Sequence, residues 1–191
     1  MPAGSACTNL LADLVRAPNL AACDLKRAAQ LAPEAPGGLN IEGLAATPTG
    51  ALLMGLRSPL YRGRALLVPL LNPDDLLRGK PAQIGVPVEL DLGGRGIRSI
   101  ERVGAPYVIV AGPTADSGRF AVFNWSGRAA DRSIAMAGIE FGDEHPEALF
   151  ALANNAQLYS LSNDGGRIII GGARCKDLPA GQQFFRARRL R

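Results

Sequence analysis

Histidine occurs once in this chain, tryptophan once and cysteine three times, so most recurring catalytic and metal-binding signatures lack the residues to build them. Cys7, Cys23 and Cys175 are odd in number, show no CxxC spacing and have no histidine beside them, which excludes the usual zinc sites. Three idle thiols suit a reducing compartment, and a cytoplasmic location is the expectation. His145, in "DEHPEALF", has no Ser or Cys nucleophile at motif spacing, so it reads as a loop histidine and not as a triad member. Aromatic residues reach only 5%, and the arginines are scattered. The basic stripe with interleaved aromatics that nucleic-acid binders use is missing, so nucleic acid is not an expected partner. The terminal "FRARRLR" reads as a solvated basic end. No apolar run approaches the ~20 residues of a membrane helix. Asp13 and Arg16 also interrupt what would be the apolar stretch of a signal peptide. A soluble protein without a membrane partner is expected.

What the chain does hold is apolar content and turns. At 191 residues and 47% hydrophobic it can bury a core, and the net charge of +4 is mild. With 23 glycines and 14 prolines, it suits many short strands joined by turns. Residues 1–38 differ from the rest. "TNLLADLVRAPNLAACDLKRAAQLAPEAPGG" is rich in Ala and Leu, with Thr8 and Asn19 placed as N-caps. Leu10, Leu11 and Leu14 share one helical face, and Ala21, Leu25 and Ala28 another. Pro33, Pro36, Gly37 and Gly38 close a helical arm and linker over 1–38.

Residues 39–191 repeat at a period of roughly 50. "IEGLAA", "IRSIER" and "PEALFA" align as first strands, with Glu42, Arg98 and Glu147 in one register. Leu44, Ile100 and Leu149 fall two positions later, on one pleat face. Turns follow at Thr49–Gly50, Gly104–Ala105 and Asn154–Asn155. Second strands come next, in "ALLMGLR", "YVIVAGP" and "QLYSLSN", and they set Arg57, Pro113 and Ser162 in register. "RALLVPL" and "FAVFNW" supply third strands, "VPVELDL" and "RSIAM" outer ones; in the last unit "RIII" and "FFRARRL" compete for these places. The expected fold is all-β: a partial β-propeller of about three antiparallel blades, near 39–92, 93–138 and 139–191, carrying the short helical arm. A sandwich is the competing all-β fold, but it does not explain charges matched in three successive units.

"GLNIEGLAATPTGALLMGLRSPL", "ALLVPLLNP", "LDLGGRGIRSIE", "YVIVAGP", "HPEALF" and "CKDL…FRA" together resemble a bacterial propeller-like family known as domain-of-unknown-function family 3616. The resemblance covers most of residues 8–191 and departs at Asn163, where an aspartate is expected, and in "RIIIGG". It implies further blades before the arm, so that this chain resembles the C-terminal part of such a protein. It implies no known reaction.

First strands of propeller blades line the central channel, where unpaired charges are costly. Three readings of Glu42, Arg98 and Glu147 follow. In the first, Arg98 pairs with both carboxylates and knits the blades together. In the second, Glu42, Glu147 and Asp164 hold calcium, the one candidate cofactor, although calcium wants about 6–8 oxygens and Arg98 opposes a cation. That arrangement is similar to metal-dependent lactonases and phytase-like propellers, and would make a metal-assisted hydrolase of a phosphoester or lactone. In the third, Arg57 and Arg98 bind a small anionic ligand, with Arg62 and Arg64 adding positive potential. "GGRGIR" reads as the start of a strand, "SNDGG" as a turn, and Trp125 as core. The leading expectation is a binding or scaffold module whose partners are missing blades or a second copy of itself. Whether it catalyses anything is left open.

Overall fold

Three antiparallel sheets follow one another along the chain. A computed structural model describes residues 6–115, 117–152, 157–169 and 171–190. The first sheet runs in the order β1 (Asn40–Ala46), β2 (Leu52–Ser58), β3 (Ala65–Leu70) and β4 (Val88–Leu90). The second repeats this with β5 (Gly96–Arg102), β6 (Tyr107–Gly112), β7 (Ala121–Trp125) and β8 (Ile134–Ala135). The third contains β9 (Pro146–Ala151), β10 (Leu158–Ser162) and β11 (Ala187–Leu190), with β10 in the middle. The expected first strands therefore each open a separate sheet. The third sheet differs from expectation in having three strands among the described residues. Of "RIII", the described residues 167–169 form no strand and contribute an isolated bridge between Ile168 and Arg174. The turn placed at Asn154–Asn155 lies outside the described residues.

The sheets stack in chain order, and burial shows why their strands read as unbroken apolar runs. In β2 every residue from Leu53 to Ser58 is buried, because both faces of the first sheet are covered. Leu53, Leu67 and Leu90 point to the second sheet and meet Ile97, Ile109 and Trp125. Trp125 is 2% exposed and packs on Tyr107 at 5.4 Å between ring centres, a core residue as its strand position implies. Val108, Val110 and Val122 leave the other face of the second sheet to meet Leu149, Leu158 and Leu190 of the third.

The arm covers the remaining face of the first sheet. Its helices α1 (Leu10–Arg16) and α2 (Leu25–Ala28) flank a 3-10 turn, Pro18–Cys23. Leu14, Leu20 and Leu25 bury against Leu56, Leu66 and Val68. Each such leucine contributes about 2 kcal/mol by leaving water. The capping residues are not those the sequence suggested. Asn9 precedes α1 and Asp24, in the left-handed region, precedes α2; neither makes a side-chain cap bond. Asn19 instead sits in the 3-10 turn and donates from Nδ2 to the Ile84 carbonyl at 3.3 Å. The arm reaches β2 and β3 but leaves β1 open, so Leu44 is 60% exposed while Ile100 and Leu149 are buried. All three face the preceding layer; only for Leu44 does that layer stop short.

Small residues let the sheets approach. Gly43 and Gly55 are cross-strand partners, and a Cβ at either would meet the Ile97 methyl at 2.8 or 2.5 Å. Gly96 comes closer still: a Cβ there would lie 1.9 Å from the Arg57 carbonyl oxygen. The glycine that opens β5 thus sets the contact between two sheets.

Candidate functional site

Each of the three aligned charges is the extra residue of a β-bulge. Ile41 pairs with Leu56 and Gly43 with Gly55, leaving Glu42 over. Ile97 pairs with Ala111 and Ser99 with Val110, leaving Arg98 over. Pro146 pairs with Ser162 and Ala148 with Leu161, leaving Glu147 over. Bulges re-aim side chains and break the two-residue alternation. Hence Ile97 and Ile100, three apart, can both touch Gly43, whereas strict alternation would put them on opposite faces. Arg57 is skipped in the same way on β2, between the partners of Asn40 and Ile41.

These four residues come together. Arg98 Nε lies 2.9 Å from Glu42 Oε2, and Arg98 Nη2 donates to Glu147 Oε1 at 2.6 Å. Arg57 Nη1 donates to Glu42 Oε1 at 3.2 Å. Asn163 Nδ2 reaches the other Glu147 oxygen at 3.1 Å. One arginine therefore ties the first strands of all three sheets, and Leu149 N–H donating to Ser99 Oγ at 2.9 Å adds a neutral link between the last two. Both arginines are buried, at 5% and 7% exposure. Arg98 Nε–H does not point at the nearby carboxylate and has no hydrogen-bond acceptor, an unspent donor. Phe120 packs under the Arg98 guanidinium at 5.8 Å.

Arg57, Arg98, Glu147 and Asn163 of this network line a cleft of about 840 Å³ between the second and third sheets. Arg57 shapes its rim by donating from Nε to the Pro113 carbonyl (3.2 Å) and from Nη2 to that of Ala115 (3.0 Å). Those bonds leave Arg57 little capacity for a ligand. Arg62 and Arg64 lie outside the cleft walls, with Arg62 stacked on the Tyr61 ring at 5.0 Å. His145 is exposed beside the cleft, its ring edge-on to Phe120 at 5.9 Å, and its backbone N–H donates to Ser162 Oγ.

Asp164 belongs to a second cluster. It is 2% exposed and accepts from the backbone N–H, Nε and Nη2 of Arg186 at 2.6–3.0 Å. Arg186 also donates to Asp143 at 2.8 Å, and Arg167 lies 3.3 Å from Asp143. Hydrogen bonding to Arg186 holds the carboxyl of Asp164 below the usual aspartate range, and that of Asp143 likewise. The same bonds push the Arg186 pKa up. "SNDGG" does turn at Gly165 and Gly166, but its aspartate ties the two ends of the long connection 163–186. "FRARRLR" is correspondingly no free basic end: Ala187–Leu190 is β11, and Arg188 pairs with Glu144 at 2.9 Å. Sequence reading missed Arg186 and Asp143 because an arginine in a charged terminal run gives no sign of a distant buried partner. The quoted "FRA" was the only available signal.

Calcium does not fit this donor set. Glu42 is engaged by Arg57 and Arg98, Glu147 by Arg98, and Asp164 by Arg186. Among the described residues, no group of three or more His, Cys, Asp or Glu side chains is placed to hold a metal. Calcium and a chelator should accordingly give the same melting temperature; a calcium-dependent rise lost in Glu42→Gln would reverse this assignment.

A family model described as "Protein of unknown function (DUF3616)" matches residues 8–158. The chain belongs to this family. No curated protein and no solved structure matches it. The DUF3616 match contains Glu42, Arg57, Arg98 and Glu147, and ends before the Asp164–Arg186 clamp. No helix among the described residues is long and apolar enough to cross a membrane.

Proposed function

We propose that the chain is a binding or scaffold module built from three consecutive blades of a β-propeller, working in the cytoplasm. The observation that carries this reading is the bulge repeated at Glu42, Arg98 and Glu147, whose side chains, one from each sheet, meet in a single ion-pair network. The first strands β1, β5 and β9 stand in succession, β5 touching both others, while β4 and β8 lie at the far edges. Inner first strands and outer fourth strands are the arrangement of blades. A sandwich would set strands in two facing sheets.

Among the described residues, no further layer packs over one broad face, the outer side of the third sheet. The arm covers the first sheet, whereas Phe150, Tyr159, Ala148 and Leu161 lie on the outer face of the third. Phe150 and Tyr159 stack there at 5.3 Å with rings inclined by 12°. These half-buried aromatic and aliphatic side chains form an apolar surface of the kind that is buried between sheets elsewhere in the molecule. A second copy of the chain is the proposed occupant. Light scattering at tens of micromolar should show a dimer or larger assembly, and Phe150→Glu should return it to monomer. A wild-type chain that stays monomeric across that range would sink this reading.

A further inference from the structure

We propose that the cleft between the second and third sheets binds a small phosphate monoester, its phosphate on Arg174 and Lys176 and its neutral part against Phe120. The site lies within one chain and does not depend on the propeller or self-association readings. Its cationic side chains outnumber its carboxylates. Moreover, each lining carboxylate is already satisfied: Asp143 by Arg186 and Arg167, Glu147 by Arg98 and Asn163, Asp164 by Arg186. The surplus is therefore positive.

Arg174 spends its Nε on Asp177 at 2.8 Å and keeps its terminal nitrogens. The Lys176 ammonium has no ion-pair partner among the described residues. Deeper in, the buried Arg98 Nε–H lacks an acceptor. The two loop cations sit on the connection 163–186, far longer than its counterparts 59–64 and 113–120 in the other sheets. The Asp164–Arg186 clamp fixes that connection at its base. Two cations lining one cleft from the same connection suit a dianionic phosphate better than a singly charged carboxylate. A volume of about 840 Å³ is within the range of small-molecule sites. Phe120 supplies an apolar wall, and Glu147, 41% exposed, can accept from hydroxyl groups.

Isothermal titration with glucose 6-phosphate, glucose and inorganic phosphate tests the site. Glucose 6-phosphate should bind saturably at millimolar affinity or tighter, inorganic phosphate more weakly, and glucose not at all. Replacing both Arg174 and Lys176 with alanine should weaken glucose 6-phosphate by at least about tenfold, as expected for losing charge-assisted donors. Because both side chains are exposed, the double variant should melt at the wild-type temperature without probe. Binding should persist in Phe150→Glu, which separates this site from self-association. The proposal is overturned by absent saturable heat, by equal affinity in the double variant, or by sodium chloride of equal ionic strength reproducing the phosphate effect.

Discussion

Arg98→Leu should lower stability by about 3 kcal/mol, the scale of breaking a buried ion pair. For a chain of this length that corresponds to a fall in melting temperature of roughly 10 °C. The size follows from what is left behind. Glu147 retains Asn163 and, being 41% exposed, can be hydrated. Glu42 is only 22% exposed and keeps the Arg57 contact at 3.2 Å. The loss therefore falls on Glu42 and on the tie between three sheets, with Phe120 also losing the guanidinium above it. Glu147→Gln is the control: it removes the half-exposed end of the network and should cost about 1 kcal/mol or less. Urea denaturation of both variants beside the wild type gives the comparison. An Arg98→Leu midpoint equal to wild type would mean that the guanidinium acts as a solvated charge and knits nothing.

The contrast between Arg98 and its neighbours shows what the sequence could and could not convey. β2, β3 and β6 were legible because apolar runs such as "ALLMGLR" and "YVIVAG" are buried on both faces, a pattern that needs no partner to be seen. The matched charges were legible as a repeat, but the reason for the match was not. A bulge is a relation between two strands, and the extra residue becomes visible only when Ile97 and Ser99 are found opposite Ala111 and Val110. The stacking order was hidden for a related cause: Gly43, Gly55 and Gly96 look like ordinary strand or turn glycines until Ile97 and the Arg57 carbonyl are set against them. The third sheet was least legible. Ile168 and Ile169 of "RIII" have strong β-propensity, yet they lie outside the sheet, while "ARRL" with two exposed residues pairs along β10. Tertiary ties at Asp164 and Arg186 outweighed local preference there.

Those ties lead to an acid-sensitive loop. Asp164→Asn should cost about 3 kcal/mol at neutral pH, because it removes the charge that satisfies three Arg186 donors while leaving the arginine largely enclosed. The wild-type contribution has a definite pH window. Arg186 lowers the Asp164 carboxyl below its unfolded value of about 3.9, so the unfolded chain takes up a proton first as pH falls. The stabilisation is complete above that unfolded value and disappears as pH drops through the lower folded one. Asp143 works in the same direction from an exposed position. Stability measured from pH 6 down to pH 2 should thus fall in the wild type more steeply than in Asp164→Asn, and the two curves should converge at the acid end. Limited proteolysis at neutral pH should cut the variant first within 163–186, since the clamp closes that connection at its neck. Arg186→Lys keeps the charge but loses the fork, and should lie between the two. Parallel acid limbs in wild type and Asp164→Asn would show that Asp164 titrates alike in folded and unfolded chains, and the clamp would then contribute geometry without charge.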